Sequence, residues 1–179
     1  MFHGAWTVVT VTLVFRRRQA ASMIRMSKLP ALLLALATTL PAADLPTKKF
    51  LNLEAIKTMV AAAEAEAQTR SVRVTICVVD DAGNLLFLQK GDRTGFNTVE
   101  FAQRKARHAA LYGRPSKDSA DQLKNGNLQV LVQPNNFPNQ GGLPIKVDGQ
   151  TVGAIAASGA ASEVDEAIAQ AGIDALLKK

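Results

Sequence analysis

Four side chains that can bind a ligand recur at helical spacing between residues 97 and 112: Phe101, Lys105, His108 and Tyr112. A helix turns about 100° per residue, so these four share one face. An imidazole is a common metal ligand, and an ammonium pairs with the carboxylates of a ligand. The same spacing also fits a histidine that is hydrogen-bonded to a neighbour in a packed helix. The pattern therefore predicts either a binding face or a purely structural one.

The opposite side of this helix carries only small residues, which are Ala102, Ala106, Ala109 and Gly113. The strand predicted at Thr151–Ala157 is also very small in its side chains. Small apolar surfaces with little to fill them often meet a second copy of the chain. The sequence therefore predicts a homo-oligomer.

Two adjacent carboxylates, Asp80 and Asp81, lie at a predicted hairpin turn. An aspartate at a strand end commonly accepts hydrogen bonds from turn N–H groups. Paired carboxylates are also suitable ligands for hard cations or iron. Turn chemistry and a metal site both remain open at this position.

The double glycine Gly141-Gly142 is the other candidate for contact with a ligand. Glycines let backbone N–H groups approach an anion or the face of a ring. The alternative is a structural loop whose glycines need a positive φ. No GK[ST] sequence follows, so the segment is not a phosphate loop.

The elements that position these residues follow from periodicity. A helix is predicted at Phe50–Thr69, a strand buried on both faces at Val72–Asp80 with an inert Cys77, and a returning strand at Leu85–Lys90. The rest comprises a helix at Asn97–Tyr112, a possible strand at Leu128–Val132, the hairpin strands Leu143–Val147 and Thr151–Ala157 around Asp148-Gly149, and a helix at Glu163–Leu177 capped by Ser162. This order predicts a single α+β domain with an antiparallel sheet of about five strands.

The first 43 residues have the composition of a leader. They contain five bases and no acid, and without them the net charge falls from +6 to +1, with 16 basic and 15 acidic residues left. The basic pI is therefore no argument for nucleic-acid binding. Met26-Ser27-Lys28 followed by the apolar run Leu29–Leu40 is typical of a secretory signal. We expect translation to start at Met23 or Met26, and residues 44–179 to form a periplasmic or secreted domain with no membrane segment.

Several motifs in order resemble the GlcG/HbpS family over roughly residues 50–177. They are GGLPI, the DG turn and the AGI helix within Gly141–Ile173, VVDDAGNL at Val78–Leu85, and KARHAA at Lys105–Ala110. The family has an α+β fold and is associated with tetrapyrroles, which implies haem, or iron from it, as the cofactor. The resemblance makes His108 the candidate axial ligand, Lys105, Tyr112 and Phe101 its flanking groups, and Gly141-Gly142 the lining. His108 stands where the family commonly has threonine, and Gln89–Thr94 departs from the family's usual loop.

Two other function classes remain open. One is an enzyme acting on a small organic molecule, with Lys105 or His108 as its acid–base group. The other is a structural or sensory partner protein. Zinc-ligand spacing and the G-x-S-x-G frame of serine hydrolases are both absent from the sequence.

Overall fold

The computed structural model describes residues 44–178, so the predictions for the leader lie outside the described residues. The elements are α1 (Leu53–Thr69), β1 (Thr75–Asp80), β2 (Leu85–Lys90), α2 (Thr98–Tyr112), α3 (Ser116–Lys124), a 3-10 helix (Leu128–Leu131), β3 (Gly142–Val147), β4 (Gln150–Ser158) and α4 (Ser162–Leu177). Within residues 44–178, no helix is both long enough and apolar enough to cross a membrane.

The sheet is antiparallel throughout and has the strand order β2-β1-β4-β3. β1 lies in its interior, as its unbroken apolar sequence predicts, and Cys77 on it is fully buried. The α+β prediction is confirmed, but within the described residues the sheet has four strands and not about five. The predicted strand Leu128–Val132 is wrong, because this run forms a 3-10 helix that buries only Val130. Short apolar runs do not distinguish strand from helix by periodicity alone.

Helices cover both faces of the sheet. On one face α1 and α4 pack against Ile76, Val78, Ile145 and Ile155. On the other face the alanines of α2 pack against Cys77, Val79, Ala154 and Ala156. Alternate residues of a strand point to opposite faces, so β1 contributes to both cores.

The small surfaces that predicted an oligomer meet each other inside one chain. Ala102, Ala106 and Ala109 on α2 are fully buried against Ala154 and Ala156 of β4. Small side chains let a helix approach a sheet closely, so these surfaces are already filled. The homo-oligomer stays a prediction, but these residues cannot be its interface while the chain is folded in this way.

The β3–β4 hairpin closes through Asp148-Gly149 as predicted. Their φ angles are 50° and 78°, both positive, which is the conformation of a type I′ turn. The turn, together with a one-residue irregularity in the pairing between Ile145 and Lys146, sets the register in which Gly142 pairs with Ala156. It therefore places the double glycine beside the end of β4.

Candidate functional site

Lys105 does not lie on an open binding face. Its side chain is 2% exposed, and Nζ donates to Asp165 Oδ2 at 2.8 Å and to the Ala157 carbonyl oxygen at 3.2 Å. Asp165 is also buried, and its other oxygen accepts from the Ala160 N–H. This buried ion pair links α2 on one side of the sheet to α4 on the other.

The sequence predicted a different role for Asp165, as the reciprocal partner of a Ser162 cap. In the structure the N-cap of α4 is Ala161, and no side chain of the described residues caps the helix. Asp165 turns inward to the ammonium of Lys105, because a buried lysine needs a carboxylate partner more than a helix terminus needs a cap. The cap prediction was wrong for this reason.

The double glycine makes room for the ion pair. A Cβ at Gly142 would lie 2.3 Å from the Lys105 carbonyl oxygen. A Cβ at Gly141 would lie 2.9 Å from Lys105 Nζ, and the φ of Gly141 is 123°, which disfavours any other residue. The Gly142 N–H donates to Ser116 Oγ, and the Gly141 carbonyl accepts from Ala157 N–H. Both glycines therefore have a structural role in the described chain.

A pocket of about 300 Å³ opens beside the ion pair, between the N-terminal ends of α2 and α4. It is lined mainly by short polar and glycine residues: Gly95, Asn97, Thr98, Phe101, Lys105, Asn139, Ser158, Gly159, Ala160, Ser162 and Asp165. We call it the Lys105 pocket. The sequence indicated Lys105 and Phe101 but not their neighbours from α4, which only the folded chain brings near them.

His108 is completely buried, one helical turn beyond Lys105. Its Nδ1 accepts a hydrogen bond from the Phe137 N–H at 3.1 Å, so the neutral ring carries its proton on Nε2. Burial lowers the pKa of His108 to about 4, and the Arg114 charge acts in the same direction. The imidazole is therefore neutral at physiological pH.

This arrangement does not fit an axial haem ligand. If Nε2 bound iron, the ring proton would have to be on Nδ1. Nδ1 could then no longer accept the hydrogen bond from the Phe137 N–H, and two donors would face each other. Nε2 is buried and has no hydrogen-bond partner within residues 44–178, and Asn136 Oδ1 is also buried and has none there. The Asn136 side chain favours the protonated ring, against the larger effect of burial. The role of His108 as the iron ligand stays a prediction, and it requires the loop at residues 133–139, which contains Phe137, to rearrange.

Tyr112 and Phe101 flank His108 and Lys105 but face the loop at residues 133–139. The Tyr112 ring stacks on His108 at 4.8 Å between centroids, and its hydroxyl donates to the Pro134 carbonyl. Phe101 contacts Phe137 edge to face at 5.3 Å. The four side chains thus share a helix face as predicted. The loop at residues 133–139 contacts Phe101, His108 and Tyr112, whereas Lys105 turns to Asp165 and Ala157.

Asp80 shows the turn chemistry expected of a hairpin aspartate. It accepts hydrogen bonds from the N–H groups of Ala82 and Asn84 and from the Asn84 side-chain amide. Burial raises the pKa of Asp80, but these hydrogen bonds and the charge of Lys48 together outweigh it and lower the pKa. Asp81 pairs with Lys48 at the surface. In the described part of the chain, no three His, Cys, Asp or Glu side chains converge as a metal site. The predicted role of His108, Asp80 and Asp81 in metal binding remains untested.

A larger apolar groove lies between the start of α1, the β3–β4 hairpin and the end of α4. Its volume is about 670 Å³, and it is lined by Lys48, Lys49, Phe50, Leu51, Asn52, Ala55, Val147, Asp148, Val152, Leu176 and Leu177. Sequence reasoning missed it, because its residues come from three distant segments. The one local signal was the pair of lysines before an apolar Phe-Leu.

The family can be decided by comparison with known proteins. The family model described as "Haem degrading protein HbpS-like" matches residues 51–174, which include the sheet, the ion pair and about half of the residues that line the groove. The chain belongs to the HbpS-like family. The predicted resemblance to GlcG/HbpS proteins is therefore confirmed.

The HbpS-like chain also resembles individual members. Protein GlcG of Escherichia coli K12 is 36% identical over 112 residues, covering 63% of this chain and 84% of GlcG. A double mutant of Streptomyces reticuli HbpS superposes with a TM-score of 0.68 at 31% identity, covering 78% of this chain and 97% of HbpS. The PduOC–haem complex superposes with a TM-score of 0.66 at 25% identity, covering 71% of this chain and 95% of PduOC.

Proposed function

We propose that this HbpS-like protein binds haem or a related tetrapyrrole in the apolar groove. The family description names haem, and one similar structure is a haem complex. The observation on this chain that supports the proposal is the groove itself. At about 670 Å³ it lies within the range of about 300–1,000 Å³ typical of small-molecule sites.

The groove has the chemistry of a macrocycle site. Apolar side chains, including Leu51, Val152 and Leu176, offer contacts to the flat face of a tetrapyrrole. Lys48 and Lys49 at the rim suit its propionates. They pair with Asp81 and Asp148 in exposed salt bridges, which contribute only about 0–1 kcal/mol and therefore exchange readily for a ligand carboxylate.

Iron ligation is not part of this proposal. Among the described residues, those that line the groove include no His, Cys, Tyr or Met, and His108 lines neither the groove nor the Lys105 pocket. We therefore assign recognition to the macrocycle and its propionates. An iron-free porphyrin should bind about as well as hemin.

A titration with hemin and with iron-free protoporphyrin tests the proposal. Leu177 is 50% exposed and lines the groove, whereas Leu128 is 67% exposed and lies outside it. Leu177→Glu places a carboxylate against the propionates and should weaken both ligands at least tenfold, which corresponds to about 1.4 kcal/mol. Leu128→Glu should leave both affinities unchanged.

His108→Ala separates this proposal from axial ligation. If the groove is the site, His108→Ala should keep the wild-type Soret maximum. A shifted maximum, together with loss of hemin binding but not of protoporphyrin binding, would place the iron at His108 and refute the groove assignment. Absence of binding of either compound to the wild type would refute tetrapyrrole binding altogether.

We also propose that the protein is exported. Support comes from the acid-free first 43 residues and the apolar run Leu29–Leu40 behind a short basic segment. Amino-terminal sequencing of the protein from a periplasmic or culture fraction should find a start near Ala43 or Asp44. A mature protein that still contains Trp6 would contradict both the cleavage and the proposed start codon.

A further inference from the structure

We infer that the Lys105 pocket binds a small carboxylate of a few carbon atoms. This site shares no lining residue with the apolar groove, so the inference does not depend on tetrapyrrole binding. At about 300 Å³ the pocket accepts only a small molecule. Three independent features of its lining select for a negatively charged oxygen.

The first feature is the convergence of two helix N-termini. Asn97 and Thr98 at the start of α2 and Ser162 at the start of α4 all line the pocket. Among the described residues, no side chain caps either helix. The Thr98 N–H of α2 already donates to the Gly95 carbonyl. The first N–H groups of a helix have no intrahelical partner and carry a partial positive charge, so anions are stabilised there. In α4 the first of these N–H groups belongs to Ser162.

The second feature is an unpartnered hydroxyl. Ser158 is 4% exposed, ends β4 beside Thr75 of β1 and lines the pocket. The hydrogen bonds of the described side chains do not include its hydroxyl. The neighbouring Thr75 and Thr98 hydroxyls are already bonded to each other at 2.8 Å. The Ser158 side chain is therefore almost completely buried, and its hydroxyl is a donor at the pocket wall that is available to a ligand oxygen.

The third feature is the ammonium of Lys105. It has three N–H donors, and Asp165 and Ala157 accept two of them. The carboxylate of Asp165 offsets the charge of this ammonium, so the ion pair as a whole is neutral. The positive potential in the pocket then comes from the N-termini of α2 and α4. A dianion would be held less well than a monocarboxylate, because Asp165 itself lines the pocket. The Phe101 ring supplies an apolar wall for a short carbon chain.

The first test is a titration of the full chain with acetate and lactate, followed by ¹H–¹⁵N NMR. Both should shift resonances of pocket residues with saturation in the millimolar range or below, and acetamide, the neutral analogue of acetate, should not. Inorganic phosphate serves as the competing oxyanion. Shifts with phosphate alone would overturn the carboxylate assignment, and no saturable shift with any of the compounds would overturn the site.

Two matched variants at Ser162 test the backbone donor. Ser162→Pro removes the N–H but suits the first position of a helix. Ala161 before it already has φ −61° and ψ 147°, the conformation that a residue before proline requires. Ser162→Pro should weaken lactate binding at least tenfold. Ser162→Ala, which keeps the N–H, should bind within about threefold of wild type. Equal affinities of the two variants would remove the helix terminus from the site.

Ser158→Ala provides a second measurement that does not depend on the fold of the proline variant. It removes one buried hydroxyl from a strand of alanines and should weaken lactate binding several-fold without changing the response to acetamide. Wild-type affinity in Ser158→Ala, with thermal unfolding unchanged, would contradict the proposal. Protoporphyrin binding measured on the same variants should stay at the wild-type value, so failure of this inference is distinguishable from failure of the groove.

Discussion

Lys105 Nζ lies 2.8 Å from Asp165 Oδ2, and both side chains are almost completely buried, with 2% and 3% exposed. This pair joins two helices that lie on opposite faces of the sheet. The two side chains meet beside Gly141, where a Cβ would lie 2.9 Å from both Lys105 Nζ and Asp165 Cβ. The glycines of the GGLPI motif therefore leave the space in which the lysine of the KARHAA segment pairs with Asp165.

Breaking this pair should strongly destabilise the protein. Lys105→Met leaves Asp165 buried without its partner, and loss of one member of a buried pair typically costs about 3–5 kcal/mol. Urea unfolding should show this loss. Lys117→Met is the control, because Lys117 pairs with Asp121 in an exposed i,i+4 bridge and should cost less than about 1 kcal/mol. Similar losses in the two variants would show that the buried pair contributes no more than a surface one.

Gly142→Ala should destabilise the domain although it adds only a methyl group. The new Cβ would meet the Lys105 carbonyl oxygen at 2.3 Å and the Lys105 carbonyl carbon at 2.6 Å, and neither main-chain atom can move aside as a flexible side chain could. Forced overpacking of this kind costs about 1–3 kcal/mol. Gly95→Ala is the matched control, because its Cβ would meet only side-chain atoms at 3.3 Å and beyond. Thermal unfolding of the two variants should differ clearly, and equal midpoints would contradict the close approach.

Stability should fall as the pH drops from about 6.5 to about 4 because of His108. Its pKa in the folded chain is lowered to about 4 from 6.5, so the unfolded chain takes up a proton that the folded chain refuses. The stability is fully present above the unfolded pKa and is lost as the pH falls towards the folded one. A shift of this size corresponds to roughly 3 kcal/mol.

Urea unfolding of wild type and His108→Gln at several pH values checks this. Glutamine keeps an oxygen that can accept the Phe137 N–H but does not titrate, so the variant should lack the decline between about pH 6.5 and 4. Asp80, Asp121 and Asp174 have lowered pKa values and lose their contributions only below about pH 4, outside this window. The same decline in both proteins would assign it to other groups.

We still expect a homo-oligomer, but through surfaces other than the buried alanines of α2, which are Ala102, Ala106 and Ala109. Exposed apolar side chains remain at Phe96, Leu128, Leu131 and Val132, and such surfaces commonly mark contacts with another chain. Light scattering at micromolar concentration should give more than one subunit. Leu131→Glu should lower the mass if this surface is the interface. A wild-type monomer would refute the expectation.

The sequence by itself determined most of the elements and the family. The unbroken apolar run of β1 predicted its place inside the sheet, Asp148-Gly149 predicted the hairpin, and the 3.6-residue pattern predicted α2. These signals are local, because each depends on residues a few positions apart. The run Leu128–Val132 failed as a strand because the same apolar spacing fits one turn of helix, and only a pairing partner would decide between them.

The tertiary structure decided what the candidate residues do. The sequence placed Lys105 and His108 on one helix face but could not show that Asp165, 60 residues away, pairs with the lysine. It also could not show that the loop at residues 133–139 covers the imidazole. Burial and ion pairing depend on segments that meet only after folding, and those contacts set the charge state and accessibility of both side chains.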